Sequence, residues 1–347
     1  MKRILVAPLN WGLGHATRSI PIINALIANK FEPVIASDGE ALRLLQKEYP
    51  QLQTLELPSY NITYSKKANS FKLKLIKDSP SLLKTIKREK KITESIVESE
   101  NISGIISDNR FGVRDKSIPS VFITHQLRVL SGSTTWLSSK LHQNIISKFD
   151  ECWVPDHTGT NNLSGALGHI EGYESSIKYL GPLSRFEKQD LEKKYDLLVV
   201  LSGPEPQRSF LEVKLFDELQ HFNGKICFVK GLIEKEQRKT QINHITTYNF
   251  MASQELEKAL NESELVLSRS GYTSIMDYAK LEKKAFFIPT PGQFEQEYLA
   301  KRFEEEQVAP TCKQRDFKTE MLNEIENYHG FKYLQYDLNY KKLFGLF

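Results

Sequence analysis

Residues 4–26 read ILVAPLNWGLGHATRSIPIINAL. A short β-branched apolar run, Ile4–Ala7, leads into Gly12-Leu13-Gly14-His15, and helical periodicity follows over Ile20–Ile27. A strand that passes through a glycine loop into a helix is the opening step of a doubly wound parallel sheet, whose ligands bind at the loops beyond the strand ends. Glycines there let a ligand approach backbone N–H groups. His15 adds a group that exchanges protons near neutral pH. The alternative is a histidine that merely caps the helix.

The same alternation recurs outward from this stretch. Pro33–Ala36, Gly104–Ser107 and Val121–Thr124 are further apolar runs, with helical periodicity over Leu42–Glu48 among them. The pattern restarts at Leu197–Leu201 and continues through Ile226–Val229, Leu265–Leu267 and Ala285–Ile288. Nearly continuous apolar strands alternating with helices predict parallel sheets covered on both faces. A chain of 347 residues exceeds what one core usually supports. Two doubly wound α/β domains are therefore expected, 1–185 and 186–325, joined near Gly181–Arg185 and the charged run Glu187–Lys194. The aromatic-rich tail, 326–347, is expected as a helix packing back on the body.

Composition narrows the function classes. A hydrophobic content of 40% with 26% charged residues is that of a soluble globular protein, and a net charge of +4 is too mild to indicate a nucleic-acid partner. Cys152, Cys227 and Cys312 show no metal-ligand spacing and suit reduced thiols. The apolar run after Met1-Lys2-Arg3 is too short for a signal peptide, and no stretch reaches the ~20 apolar residues of a membrane span. The expectation is a protein made and kept in the cytoplasm.

Four loops carry candidate chemistry. Gly12-x-Gly14-His15-x-Thr17 is not the dinucleotide fingerprint, since Thr17 stands where the third glycine belongs, although Asp38 beyond the next strand keeps an NAD reading open. Ser202-Gly203-Pro204-Glu205-Pro206-Gln207-Arg208 follows the first strand of the second half and suits a phosphate or diphosphate, or else is a rigid loop whose Arg208 pairs with an acid. Ser268-Arg269-Ser270-Gly271-Tyr272-Thr273 places small donors directly before a helix, and Asp277 follows one and a half turns later, within reach of a polyol such as ribose. Pro289-Thr290-Pro291-Gly292 then Gln296-Glu297-Tyr298 ends the next strand with a turn, an amide and a carboxylate.

Together these residues resemble GT-B glycosyltransferases of family 28, which includes the N-acetylglucosaminyltransferase of peptidoglycan synthesis. Ser268-Arg269-Ser270-Gly271, Asp277, Ile288-Pro289-x-Pro291 and Gln296-Glu297 are similar to that family's donor-nucleotide site. Gly12-x-Gly14-His15 is similar to its N-terminal glycine loop, His125-Gln126 to its His-Glu-Gln, and Gly181–Arg185 to its lead-in to the linker. Ser202-Gly203 stands at its second glycine loop, and Phe250-Met251 at the place that holds the base. The resemblance covers about 300 residues in the right order, with Asp277 in place of the family's glutamate and Ser-Gly-Pro-Glu-Pro in place of a glycine pair.

The resemblance implies two Rossmann-like domains facing across a cleft, the first for the acceptor and the second for a nucleotide sugar. It implies an inverting transfer of a hexose or N-acetylhexosamine, from a UDP-sugar by the likeness of the base site, with no cofactor and no metal. The sequence holds no Asp-x-Asp triplet. In such enzymes helix N-termini, backbone N–H groups and cations meet the departing diphosphate, here Arg208 and the 268–273 turn. A base must take the acceptor proton, and His15 is the candidate, with Asp108 to orient it and His125 as the competing base.

The segment 66–91, KKANSFKLKLIKDSPSLLKTIKREKK, holds ten basic and two acidic residues interleaved with apolar ones. It is expected either to lie on an anionic membrane, as a lipid-linked acceptor would need, or to form a helix pair with a solvated cationic face. Two rivals share the architecture: a nucleotide-sugar 2-epimerase, and a nucleotide-sugar-binding subunit without catalysis.

Overall fold

The computed structural model describes residues 1–60, 71–170, 176–203, 205–332, 336 and 338–347, with the backbone alone at 71–81 and 133. Of the segment 66–91, residues 66–70 thus lie outside the described residues, as does Pro204 in the second glycine loop. The chain forms two compact units: one holds the described residues up to Leu183 together with 336 and 338–347, the other those from Ser184 to 332.

The first unit is built on seven strands: β1 (Arg3–Pro8), β2 (Glu32–Ser37), β3 (Thr54–Glu56), β4 (Ile102–Asp108), β5 (Ser120–Ile123), β6 (Glu151–Val154) and β7 (Ile177–Tyr179). Their order is β3-β2-β1-β4-β5-β6-β7, and every neighbouring pair is parallel. The order reverses between β1 and β4, which places the ligand crevice of this sheet at the loops following those two strands. Ile4, Leu5, Val6 and Ala7 are fully buried, as a strand covered on both faces requires. Helices α1 (Gly14–Ala28), α2 (Gly39–Glu48), α3 (Phe71–Ser99) and α4 (Thr135–Ile146) supply the connections.

The second unit repeats the plan with β8 (Tyr195–Val200), β9 (Ile226–Val229), β10 (Lys239–Ile242), β11 (Ile245–Tyr248), β12 (Ser263–Ser268) and β13 (Lys284–Phe287). The order is β10-β11-β9-β8-β12-β13, with its reversal between β8 and β12. Its helices are α5 (Gln207–Glu218), α6 (Ser253–Asn261), α7 (Tyr272–Lys280) and α8 (Phe294–Glu305). Leu197, Val199, Phe228, Leu267 and Phe286 form its core. All pairings are parallel except β10 with β11. That hairpin was not expected: β10 is exposed along its whole length, so it carries no apolar run, and Asn243 takes a positive φ of 52° at its turn.

The apolar runs read from the sequence lie within two residues of β1, β2, β4, β5, β8, β9, β12 and β13. The division between the units falls at Leu183–Ser184. The segment 326–347, expected as one helix, instead holds, among its described residues, the end of a 3-10 stretch at Asn327, an α-helical turn at Tyr340–Leu343 and a 3-10 turn at Phe344–Leu346. These last residues belong to the first unit, where Phe344 and Phe347 lie against Trp153.

Candidate active site

In the first unit the three expected residues arrive from three adjacent strands. His15 is the second residue of α1, Asp108 ends β4, and His125 lies two residues beyond β5. Gly12 has φ +73° with nothing within 4 Å of where a side chain would begin, so the loop before His15 needs glycine and faces open space. Gly14 starts α1. His15 Nδ1 lies 2.8 Å from Asp108 Oδ1, and both residues are buried. Arg18, one turn further along α1, joins them: its Nε donates to Asp108 Oδ2 at 2.6 Å, its Nη2 donates to Asp108 Oδ1, and its Nη1 is 3.0 Å from His125 Nδ1.

The charges follow from this packing. Burial would raise the Asp108 carboxyl, but the Arg18 guanidinium and His15 hold it down, to about 2. Burial lowers the pKa of His15; Asp108 opposes that shift, while Arg18 and His125 add to it. The result is an ionised carboxylate beside a neutral imidazole at pH 7, which is the pairing a general base requires.

Arg18 was not singled out from the sequence, although its spacing three residues after His15 places both on one helix face. A second buried network lies beside the first. Arg110 pairs with Asp38 and with Glu89 of α3, each at 2.7 Å. Asp38, the acid that kept NAD open, is committed to Arg110 and to Asn10 at 3.1 Å, so no ribose role is left to it.

In the second unit the loops after β8, β12 and β13 are tied together, but by side chains that had been expected to face a ligand. Arg269 is 1% exposed. It donates to the carbonyls of Gln207 (2.9 Å), Ile288 and Pro289 (both 3.1 Å) and to Gln314 Oε1 (2.7 Å), so it is a strut beneath the loops. Burial without a carboxylate lowers it to about 9. Ser268 Oγ donates to the Arg269 carbonyl and Ser270 Oγ to that of Gln296. Gln296 Oε1 accepts from the Thr290 N–H and Glu297 Oε1 from the Gly292 N–H, which closes the turn before α8. Arg208 is corrected as well: its guanidinium pairs with Glu205 and with Glu212 at i+4, and reaches the Lys230 carbonyl. The rigid-loop alternative describes it.

What these loops present is backbone. Gly203 has φ +99° and, like Gly271, open space where a side chain would begin. Gly271 is the N-cap of α7 and brings no side chain of its own to that helix start. Ser202, Met251 and Thr273 are half-buried, while Phe250 is buried and accepts from Gln237 Nε2 through its carbonyl. Asp277 projects from α7 and accepts from Ser184 Oγ at 2.6 Å. Burial raises its carboxyl to about 6, against the pull of Arg185 and Ser184. Ser184, one residue past the division between the units, was missed because a serine in a linker carries no signal of its own.

With the geometry described, likeness to known proteins can be placed on it. Residues 199–328 match the glycosyltransferase family 28 C-terminal domain. The chain is similar to the UDP-N-acetylglucosamine--N-acetylmuramyl-(pentapeptide) pyrophosphoryl-undecaprenol N-acetylglucosamine transferase of Clostridium botulinum, 25% identical over 297 residues, which is 80% of this chain and 75% of that one. It is also 21% identical over 309 residues to an uncharacterized glycosyltransferase of Methanopyrus kandleri, 84% of each chain. Among solved structures, Acinetobacter baumannii MurG aligns with a TM-score of 0.55 at 14% identity, covering 94% of this chain and 90% of its own. The spinosyn rhamnosyltransferase SpnG aligns at 0.63 and 13%, covering 95% and 93%.

Two parallel-sheet α/β units of this kind give the chain the fold of the GT-B glycosyltransferases. Its sequence over residues 199–328 is that of the glycosyltransferase family 28 C-terminal domain, which marks the second unit as a glycosyltransferase domain.

Proposed function

We propose that this protein transfers a hexose or N-acetylhexosamine, with inversion and without a metal ion, from a UDP-sugar held by its second unit to an acceptor hydroxyl activated in its first. The observation that carries the reading is the 2.8 Å contact between His15 Nδ1 and the ionised Asp108. A ring proton donated to Asp108 leaves the Nε2 lone pair to take the acceptor proton, while the carboxylate stabilises the imidazolium that forms. On the donor side the Gly203 and Gly271 loops offer backbone N–H groups, and the start of α7 favours negative charge. Arg269 adds a buried cation beneath them. Asp277 is the residue for the ribose hydroxyls, with Met251 by the base.

The botulinum relative's name gives a UDP-sugar donor and an undecaprenol-linked acceptor. A lipid-linked acceptor suits this chain through α3, whose run 82–91 is largely cationic, and through Trp136, Leu137 and Leu141, which are 77%, 52% and 56% exposed on α4. The protein would then work at the cytoplasmic membrane surface. Among the described residues no helix is long and apolar enough to cross a membrane.

His15→Ala should lower turnover by ~10²-fold or more, with nucleotide affinity nearly unchanged, because the donor is bound elsewhere. Steady-state rates with labelled UDP-sugars and calorimetry with UDP measure the two quantities. A fully active His15→Ala protein would remove His15 as the base.

A further inference from the structure

His15 and His125 are both buried, and both meet the same guanidinium. A guanidinium only donates hydrogen bonds and stays protonated at any pH the fold survives. At 3.0 Å from Arg18 Nη1, His125 Nδ1 must therefore be an acceptor, so the proton of a neutral His125 sits on Nε2. His15 is in the opposite position. Its Nδ1 lies 2.8 Å from Asp108 Oδ1 and 2.9 Å from Arg18 Nη2. A carboxylate only accepts, and a charge-assisted bond to it outweighs one to a neutral ring, so Nδ1 carries the proton and the lone pair is on Nε2.

We propose that Arg18 is a positioning residue that sets the two histidines in opposite neutral tautomers, leaving His15 as the base and excluding His125 from that role. This rests on the reading of the first unit as the acceptor site. The Nδ1 lone pair of His125 is occupied by Arg18, and its other nitrogen carries the proton, so His125 can only donate to a substrate. Protonating His15 sets a second cation against Arg18. Around His15 the charged and titratable groups are Asp108 from β4, Arg18 from its own helix and His125 from the loop after β5. Around His125 they include Arg18, His15 and His142 of α4, which burial lowers to about 4. Asp108 is the only acid of these two sets, and Arg18 engages both of its oxygens.

The test is a ¹⁵N-histidine spectrum of the full chain at pH 7, assigned with His15→Gln and His125→Gln, together with the pH profile of kcat/KM for Arg18→Met and Arg18→Lys. In the wild type His15 should carry its proton on Nδ1 and His125 on Nε2. Removing the cation in Arg18→Met should move the acid limb of the profile up by about one pH unit, the effect of one like charge within a few ångströms. Arg18→Lys, which keeps a cation at that place, should leave the limb near its wild-type position. A proton on His125 Nδ1 in the wild type overturns the proposal, as does an acid limb that stays in place while the rate falls, since that is a purely structural prop. The wild-type spectrum decides even if neither variant folds. A fully active His15→Ala protein with the stated tautomers intact would instead overturn the assignment of the base.

Discussion

Asp277 is a buried carboxyl whose proposed binding role would come at the expense of stability. Its pKa of about 6 lies above the ordinary carboxylate value, so the stability it contributes is full below about pH 4 and is lost as pH rises through about 6. The shift of roughly two units corresponds to about 3 kcal/mol. Asp277→Asn should therefore raise the melting temperature at pH 8 and leave it unchanged at pH 4, as scanning calorimetry at the two pH values would show. The same change should weaken UDP binding, and Asp277→Ala should cost ~1 to 3 kcal/mol in affinity, the range for a charged hydrogen bond left unmade. UDP affinity in the wild type should also fall below pH 6, as the carboxylate protonates. Equal affinity of wild type and Asp277→Ala would remove the residue from the ribose site. At this scale the sequence marked positions better than it marked roles. His15, Asp108 and Asp277 were legible because each follows a strand end or a loop of small residues. Arg208 and Arg269 were legible as cations near a phosphate loop, yet which atoms they meet depended on Glu212 one turn away and on carbonyls distant in sequence.

At the scale of elements, α3 departs most from its sequence pattern. Its charge reads as a solvated cationic helix, but Glu89, within that run, is fully buried. It accepts from Arg110 Nε at 2.7 Å, from the Gly112 N–H at 2.8 Å and from the Tyr60 hydroxyl. The next loop residue, Phe111, meets His142 of α4 edge-on at 5.6 Å, so α3 and α4 both border the loop 110–112. Glu89→Ala should destabilise the first unit by about 3 to 5 kcal/mol, because it leaves a buried guanidinium with one of its two anions. Denaturant unfolding followed by tryptophan fluorescence measures this, since Trp11, Trp136 and Trp153 all lie in that unit. Leu83 of α3 is 60% exposed, as are Trp136, Leu137 and Leu141 of α4 at 77%, 52% and 56%. The intact protein should float with anionic vesicles and release as salt rises, since screening acts within ~8 to 10 Å at physiological ionic strength. Equal flotation with neutral vesicles would count against an electrostatic role for α3. The strands left unread, β3, β6, β7, β10 and β11, have three or four residues each. β5, β9 and β13 are no longer than these but are mostly apolar. In the five left unread, Thr54 and Glu56, Glu151, Lys178, the polar β10 and Thr246-Thr247 of β11 break any apolar run, and β10 is held only at one edge.

For the whole molecule the consequential feature is chain order. The second unit is inserted in the first, whose core is completed by aromatic residues of 338–347. Phe344 is 2% exposed and packs against Phe31 and Trp153; Phe347 lies on β4, where a Cβ at Gly104 would collide with its ring. No periodicity in the sequence reveals this, since a tail with alternating tyrosines and phenylalanines suits packing on either unit. Emptying such a site leaves a cavity in addition to the lost burial, typically about 3 to 5 kcal/mol for Phe→Ala. Phe344→Ala should therefore lower the denaturant midpoint read by tryptophan fluorescence, because Trp153 loses a neighbour 6.3 Å away and the first unit loses part of its core. UDP binding, measured by calorimetry below that midpoint, should be unchanged on the proposed reading, because Leu197, Phe228 and Leu267 belong to a core of the second unit whose described members all precede 332. Loss of nucleotide binding together with the fluorescence change would show instead that the tail supports both units, and the assignment of 338–347 to the first would have to be given up.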